Sequence, residues 1–435
     1  MKPAILAPYA RHLESSSTLR WSGRVNQVVG NLVESDGPFC FVGESCEIID
    51  ANGRSYAGEI VGFRGSTMLS MTADPPRGIR FGDQIVTWGA RPSVRVGPDL
   101  LGRVVDTAGN PLDGKGEYRA AGVMPINCSA PLPLDRVPIR APLSCGIRAI
   151  DAFLTCGRGQ RIGIFGGSGV GKSTLLGMMA RGTAADLTVL ALVGERGREV
   201  GDFLELLGEE GLRRAVVMVS TSDQSPLLRM RAALAATAMA EYYASQGRNV
   251  LLVVDSLTRF AMAQREIGLA AGEPPTAKGY TPSVLNALAH LVERAGNFSQ
   301  GSITAFYTVL MEGDDQQDPV VDTVRSLLDG HVVLSRNLAM RSHYPPISIL
   351  DSISRLMPNV ASEPHLAKAK ELRLMMATYA HSEDLIRIGA YQSGADPTLD
   401  KAIQILPALN DLLQQHPATL SGLEETVRQM MAIPS

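Results

Sequence analysis

The sequence lacks the features that mark membrane, secreted and metal-binding proteins. No stretch approaches the roughly 18 consecutive apolar residues that a membrane-spanning helix requires. The first residues, MKPAILAPYARHLESS, lack the charged flank and long apolar run of a signal peptide. The five cysteines are scattered, and none forms a CxxC pair or has a histidine at zinc spacing. The sequence therefore predicts a cytosolic protein whose cysteines are small buried residues in a reducing compartment.

An excess of charge of either sign is also lacking. The formal net charge is −3 at pH 7, and the sequence pI is about 6.2. Such a chain has no overall attraction to nucleic acid or to an anionic membrane, although a local basic patch is not excluded. We therefore expect no nucleic-acid partner.

The pattern of apolar residues predicts three domains after a short lead, in a chain of 435 residues. Short β-like runs broken by glycine predict a small N-terminal β-barrel over residues 20–95, after a lead over residues 1–19. Alternating strands and helices predict an α/β domain with a mostly parallel sheet over residues 96–357. Only helical patterns follow, which predicts a C-terminal helical domain over residues 358–435. The strand candidates of the central domain are residues 161–165, 188–193, 215–220, 249–254, 303–310 and 331–334.

Residues 166–173, GGSGVGKS, fit the G-x-x-x-x-G-K-[ST] pattern of a phosphate-binding loop, or P-loop. The apolar run RIGIF precedes them and the helical run KSTLLGMMAR follows; without this context they would indicate only a glycine-rich turn. Glycines let backbone N–H groups turn inward around phosphate oxygens, and a helix N-terminus adds positive charge. Lys172 can reach the β- and γ-phosphates for binding and catalysis, and the Ser173 hydroxyl can ligate Mg²⁺. The predicted ATP-binding residues of this segment are Gly166, Gly167, Ser168, Gly169, Val170, Gly171, Lys172, Ser173 and Thr174.

Two carboxylates follow apolar strands and are candidates for the chemistry. Asp255 ends NVLLVVD, on a strand that we expect beside the P-loop strand, where it would hold Mg²⁺ through water; the alternative is a helix N-cap. Glu195 follows TVLALVG and should emerge at the same sheet edge. There it could orient and polarise the attacking water, and the alternative is a surface carboxylate in ERGREVGD. The sequence therefore predicts an ATP site with Mg²⁺.

Longer segments resemble a known family. They are GGSGVGKST, LVGERGREVGDF, LLVVDSLTRFAMAQRE, GEPPTAKGYTPSVL, GSITAFYTVLMEGDDQQDPV, LDGHVVLSR and HYPPISILDSISR. Together they resemble the flagellar type III protein-export ATPase, of a group shared with rotary ATP synthase catalytic subunits and virulence secretion ATPases. GEPPTAKGYTPSV points to the export branch, and GDDQQDP and IGAYQSGADPTLDKAI are similar to flagellar members, since virulence members tend to have IGEY. The resemblance covers about residues 20–405 and implies a RecA-like P-loop ATPase domain at the centre.

The resemblance also implies roles for single residues. Glu195 matches the catalytic glutamate of the family. Arg196 matches an arginine that faces the phosphates or supports their binding, and Arg259 matches one near the γ-phosphate. Tyr344 of HYPP matches the aromatic residue that stacks on adenine, with packing in the core as the alternative. Arg355 of SISR matches the arginine finger, which in this family acts on ATP bound to the neighbouring subunit; an ordinary surface arginine is the alternative.

The implied partners follow from the same resemblance. They are other copies of the chain in a homohexamer, a regulatory stator protein at residues 1–19, and a central stalk protein and chaperone-bound export substrates at residues 358–435. In the lead, Ile5, Tyr9 and Leu13 would supply a small apolar stripe for the stator. The expected location is cytoplasmic, with peripheral contact to a membrane export gate.

Four other functions share part of this sequence pattern. A virulence type III secretion ATPase differs from the flagellar one in few segments. A rotary ATP synthase subunit shares the site but is disfavoured by GEPPTAKGYTPSV. A ring-shaped nucleic-acid translocase would require a basic barrel with aromatic residues for binding nucleic acid, whereas residues 20–95 have few lysines. A non-catalytic nucleotide-binding subunit would usually lack the carboxylate of Glu195.

Overall fold

The N-terminal strands close a six-stranded antiparallel barrel in a computed structural model that describes residues 19–311 and 318–434. The predicted lead therefore lies outside the described residues, except for Leu19. The strands are β1 (Trp21–Val29), β2 (Leu32–Asp36), β3 (Ser45–Ile49), β4 (Ser55–Arg64), β5 (Thr67–Thr72) and β6 (Gln84–Thr87). They close in the order β1-β2-β5-β4-β3-β6. Val25, Ile48 and Ile60 are fully buried inside, because alternate side chains of a strand point to one face.

A short connection leads from the barrel to the central sheet. Its strands are β7 (Ser93–Val96), β8 (Arg103–Val105) and β9 (Gly122–Pro125), and β7 pairs with β9 outside the barrel. Arg103 donates two hydrogen bonds, of 2.8 and 2.9 Å, to the carboxylate of Asp113. This guanidinium is the main cause of the lowered pKa of Asp113. The ion pair folds the turn-rich segment after β8 back against that strand.

The central domain is built on a nine-stranded, mostly parallel sheet, as predicted. The remaining strands are β10 (Pro142–Leu143), β11 (Cys156–Gly157), β12 (Arg161–Gly166), β13 (Leu187–Glu195), β14 (Ala215–Thr221), β15 (Asn249–Asp255), β16 (Gly296–Asn297), β17 (Ser302–Leu310), β18 (Gly330–Leu334) and β19 (Ile347–Ser354). The sheet order is β19-β18-β12-β17-β15-β13-β14-β8, with β16 paired to β17. β19 runs antiparallel to β18 at one edge.

The strand order corrects one prediction about the site. The strand that ends at Asp255 was expected beside the P-loop strand, but β17 lies between β15 and β12 and pairs in parallel with both. Chain order does not reveal this arrangement, because β17 is formed later in the chain and inserts between two earlier strands. The ends of β12 and β15 still lie at the same edge of the sheet, because all three strands are parallel.

Helices cover both faces of the sheet. They are α1 (Arg148–Phe153), α2 (Lys172–Gly182), α3 (Gly197–Arg213), α4 (Pro226–Ala244), α5 (Leu257–Ala271), α6 (Pro282–Val292), α7 (Pro319–Leu327) and α8 (Arg336–Met340). One apolar layer packs α4, α5 and α6 on one face, and the other packs α1 and α2 on the opposite face. Buried parallel strands such as β13 and β15 are apolar on both sides for this reason.

The helix α4 contacts the barrel at one place and the connection after the barrel at another. Near its start, Arg231 donates hydrogen bonds of 3.0 and 2.7 Å to one carboxylate oxygen of Glu59 on β4. Both side chains are mostly buried, and burial raises the pKa of Glu59 while the guanidinium opposes that rise. Near the end of α4, the Tyr243 hydroxyl donates to the carbonyl of Gly97, just after β7. The helix therefore contacts both the barrel and the segment between β7 and β8.

The C-terminal segment is helical, as predicted. Its helices are α9 (Met357–Val360), α10 (Glu363–Arg387), α11 (Pro397–Leu413) and α12 (Leu423–Met431). They pack on the P-loop side of the sheet, and Arg373 of α10 donates to the carbonyls of Phe153 and Ser352 at 3.1 and 3.3 Å. Among residues 19–311 and 318–434, no helix is both long and apolar enough to span a bilayer.

Candidate functional site

The P-loop connects the end of β12 with the start of α2. Gly169 and Gly171 have φ angles of 78° and 93°, in the left-handed region that glycine adopts without a Cβ penalty. Val170 between them is buried, so its side chain anchors the loop while its backbone stays in the turn. Lys172 and Ser173 then begin α2, whose N-terminal amides are suited to bind phosphate. The structure thus places the predicted motif in the required strand–loop–helix context.

The predicted phosphate and metal residues meet at the edge of the sheet. The Nζ of Lys172 lies 2.7 Å from the Oδ1 of Asp255, whose carboxylate is only 4% exposed. The Thr308 hydroxyl donates to the same oxygen at 2.6 Å from the neighbouring strand β17. Carboxylate and hydroxyl oxygens are the ligands that Mg²⁺ prefers, so Asp255 and the exposed Ser173 fit that ion chemically.

Glu195 is the last residue of β13 and faces the same cleft. Its pKa is raised from 4.5 to about 7, first by burial, then by the negative charge of Asp255 and a hydrogen bond with Glu199. The positive charges of Lys172 and Arg259 act in the opposite direction. A carboxyl group whose pKa lies near neutrality is suited to accept a proton from water at physiological pH. Its catalytic role stays a prediction.

The two arginines differ in how they face the cleft. Arg259 lies in the first turn of α5, with its Nε buried and without a hydrogen-bond partner among the described residues. That orphaned donor is consistent with a phosphate oxygen as its partner. Arg196 precedes α3, and its side chain is 78% exposed, 3.7 Å from Glu199. Both line the cleft, and their roles at the phosphates stay predictions.

Tyr344 lies next to the P-loop but outside the phosphate-binding part of the cleft. A Cβ placed on Gly171 would lie 3.8 Å from its ring, so the ring stands beside the loop. The side chain is 47% exposed, and the carbonyl of Tyr344 accepts a hydrogen bond from the backbone of Gln415. A half-exposed ring at this place is compatible with stacking on a base and less so with packing in the core.

Arg355 lies near the amino-terminal ends of the parallel strands, whereas the cleft residues lie at their carboxyl ends. It follows β19, whose Ser354 pairs with Gly330 at the start of β18, so it stands near the beginning of the P-loop strand. The five residue steps from Arg161 to Gly166 along β12 separate these two ends of the strand by about 16 Å. An arginine side chain cannot span that distance to the P-loop of its own chain.

The residues at the carboxyl ends of the strands line one cleft of about 380 Å³. Sequence reasoning missed Glu199, which lines this cleft, and Thr308, which donates a hydrogen bond to Asp255 from β17. Glu199 forms a hydrogen bond with Glu195 from the first turn of α3, and helical spacing does not relate the two residues because Glu195 ends a strand. Thr308 gave no local signal, because its position depends on β17 being next to β15. The arrangement can bind a nucleotide phosphate and activate water beside it.

Comparisons with known proteins agree with this geometry. Residues 146–354 match the family model for the ATP synthase alpha/beta family, nucleotide-binding domain, and residues 361–432 match that for the T3SS EscN ATPase C-terminal domain. The flagellum-specific ATP synthase of Bacillus subtilis is 48% identical, over 97% of each chain. The type 3 secretion system ATPase of Sinorhizobium fredii is 48% identical, over 95% of this chain and 92% of its own.

Solved structures show the same similarity. The assembled ATPase EscN of the enteropathogenic E. coli type III secretion system is 43% identical, with a TM-score of 0.90 over 94% of this chain and 99% of its own. EscN in complex with its central stalk EscO has a TM-score of 0.87 over the same shares of the two chains. The resemblance inferred from the motifs is confirmed. The chain belongs to the ATP synthase alpha/beta family, among the ATPases of flagellar and type III secretion systems.

Proposed function

We propose that this protein hydrolyses ATP to energise the export of flagellar proteins through the flagellar type III secretion apparatus. The observation that carries the proposal is the juxtaposition of Lys172, Asp255 and Glu195 in one cleft beside the P-loop. Similarity to flagellum-specific relatives over nearly the whole chain supports the choice of export system.

The cleft residues divide the work of hydrolysis. The P-loop amides and Lys172 bind the phosphates, and Arg259 and Arg196 add positive charge at the γ-phosphate end. Glu195 accepts a hydrogen bond from the attacking water and removes its proton as the water oxygen bonds to the γ-phosphorus. The bond from that phosphorus to the bridging oxygen breaks at the same time, and ADP is the leaving group. Ser173 and Asp255 would hold Mg²⁺, which when bound neutralises phosphate charge. Tyr344 would stack on the adenine.

A second copy of the chain completes this site. The finger residue, Arg355, lies about 16 Å of strand away from the P-loop of its own chain, so it serves a site only across a subunit interface. EscN is an assembled ATPase, and we propose a homohexameric ring for this chain as well. Each interface would then contain one P-loop and one finger from different subunits.

The other proposed partners are assigned by segment. EscN forms a complex with a central stalk, and we propose that residues 358–435 contact the equivalent stalk and chaperone-bound export substrates. A stator protein would bind residues 1–19. The location we propose is the cytoplasm, with peripheral association to the membrane export gate.

The second candidate is a virulence secretion ATPase, because relatives of that class are as similar as some flagellar ones. The test is deletion of the gene in the source organism, with complementation by wild type or by Glu195→Gln. We expect the deletion to abolish export of filament protein and swimming, wild type to restore both, and the variant to restore neither. Membrane ATP synthesis serves as the control and should be unchanged. Normal filament export with lost export of virulence effectors would contradict the flagellar assignment.

A further inference from the structure

A partly buried ion pair between Arg161 and Asp329 holds the backbone that carries Arg355. The amide of Arg355 donates to the carbonyl of Asp329 at 2.9 Å. Asp329 immediately precedes β18, so its carbonyl and carboxylate face the start of the P-loop strand. The Arg355 side chain itself is exposed, so this backbone contact is what places it.

Arg161, the first residue of β12, holds Asp329 with its side chain and backbone together. Its Nε and Nη2 donate to the two carboxylate oxygens at 3.1 and 3.2 Å, and its amide donates to Oδ2 at 3.1 Å. In return, the amide of Asp329 donates to the carbonyl of Arg161 at 2.9 Å. A paired fork of this kind fixes orientation as well as distance. Glu293 accepts from the remaining end of the guanidinium at 2.5 Å.

Gln160 holds Ser354, the residue that precedes Arg355. Its side-chain nitrogen donates to the carbonyl of Asp329 and to the Ser354 hydroxyl, both at 3.1 Å. Ser354 in turn donates to the carbonyl of Thr155 at 3.0 Å. Gln160 is fully buried, so these bonds are shielded from water. Ser354 and the amide of Arg355 are therefore both tied to the segment that leads into β12.

We propose that Asp329, held by Arg161, is a positioning residue that aims Arg355 into the active site of the neighbouring copy. The inference rests on the proposed function, in which Arg355 acts across the interface. Removing the carboxylate charge leaves the finger present but its backbone less constrained. A displacement of about 1 Å at a reacting group is enough to lower turnover by about a hundredfold.

The first test is Asp329→Asn in the full chain. We expect kcat to fall by about 10- to 100-fold, while the Kd for a fluorescent ADP analogue and ring assembly change less than about twofold. The matched control is Asp113→Asn, which removes the carboxylate of a similarly buried Arg–Asp pair away from the cleft. The control should keep wild-type kcat. Arg161→Lys, which keeps the charge but not the fork, should show a smaller loss of the same kind.

The second test uses mixed rings. Asp329→Asn mixed with Glu195→Gln should exceed the summed activity of the two variants, because intact fingers then meet intact glutamates. Asp329→Asn mixed with Arg355→Ala should show no gain in activity, because no subunit then has both Arg355 and the Asp329 that positions it. Adding Asp329→Asn to Arg355→Ala should lower kcat no further.

The outcomes separate the two claims. Wild-type turnover in Arg355→Ala would remove the finger from the proposed function and this inference with it. Loss of turnover in Arg355→Ala with undiminished turnover in both Asp329→Asn and Arg161→Lys would overturn the inference alone. A kcat lower in the Asp329→Asn/Arg355→Ala double variant than in Arg355→Ala alone would also overturn the inference. So would the absence of a gain in activity when Asp329→Asn and Glu195→Gln subunits are shown to form mixed rings.

Discussion

Replacing Glu195 by glutamine should stabilise the nucleotide-free protein above pH 7 while it removes hydrolysis. The pKa of Glu195 rises from 4.5 to about 7, so the native state disfavours the charged carboxylate at pH 8. At about 1.36 kcal/mol per pH unit, that difference corresponds to about 3.4 kcal/mol at most. Because the side chain is partly exposed and water screens its charge, about 1–2 kcal/mol is the expected cost. Glutamine has nearly the same shape and avoids that cost.

The pH dependence has a definite sign. Between pH 4.5 and about 7 the native carboxyl group keeps a proton that the unfolded chain releases, so wild-type stability rises as the pH falls through this window. The advantage of the glutamine variant should therefore be complete above pH 7 and disappear toward pH 4.5. In a domain of about 200 residues, it corresponds to a melting temperature about 2–8 °C higher at pH 8.

The assay is thermal unfolding of both proteins without nucleotide or Mg²⁺ at pH 8 and at pH 5.5. Glu209→Gln is the matched control, because this glutamate lies on the adjoining helix with a side chain that is 93% exposed. It should change the melting temperature little at either pH. The raised pKa of Glu195 would be refuted if the two proteins differed equally in melting temperature at both pH values. It would also be refuted if their melting temperatures were the same at pH 8.

Two other predictions test the barrel contact and the adenine site. Arg231→Ala should lower the free energy of unfolding by about 3–5 kcal/mol, because Glu59 is left as an unpaired buried charge. Denaturant unfolding should show part of that loss recovered in the double variant with Glu59→Gln, and no recovery would count against the pair. Tyr344→Ala should raise the KM for ATP about tenfold or more with a smaller effect on kcat, since stacking on a base is worth about 1–3 kcal/mol. Steady-state kinetics should show Tyr344→Phe close to wild type, and an equal loss in both variants would contradict stacking.

Most of the central sheet could be predicted from local sequence. Strands such as β13 and β15 are buried on both faces, so they form continuous apolar runs that end at an acidic residue. The barrel strand β2 gives no comparable local signal, because LVESD contains three polar residues and has no clear alternation. The edge strand β19 was recognised only as part of a motif, since its alternating pattern is mixed with serines.

The site was predictable where a residue ends its own strand and unpredictable where it depends on a neighbour. Glu195 and Asp255 end parallel strands, so their shared edge follows from the chain alone. Thr308 could not be placed, because the order of the strands is a property of the whole sheet. The distance between Arg355 and the P-loop likewise depends on β19 running antiparallel, which no local pattern indicates.

The two contacts of α4 link the barrel and its connection to the central sheet. The helix has 19 residues, or about 28 Å at 1.5 Å per residue, with Arg231 near one end and Tyr243 near the other. One contact is to the barrel strand β4 and the other is to the segment that follows β7, so the same helix holds both the barrel and the chain that leads out of it. The same helix packs along β13 and β15, the strands that end in Glu195 and Asp255. A load applied to the barrel would therefore reach, through α4, the strands that end in Glu195 and Asp255.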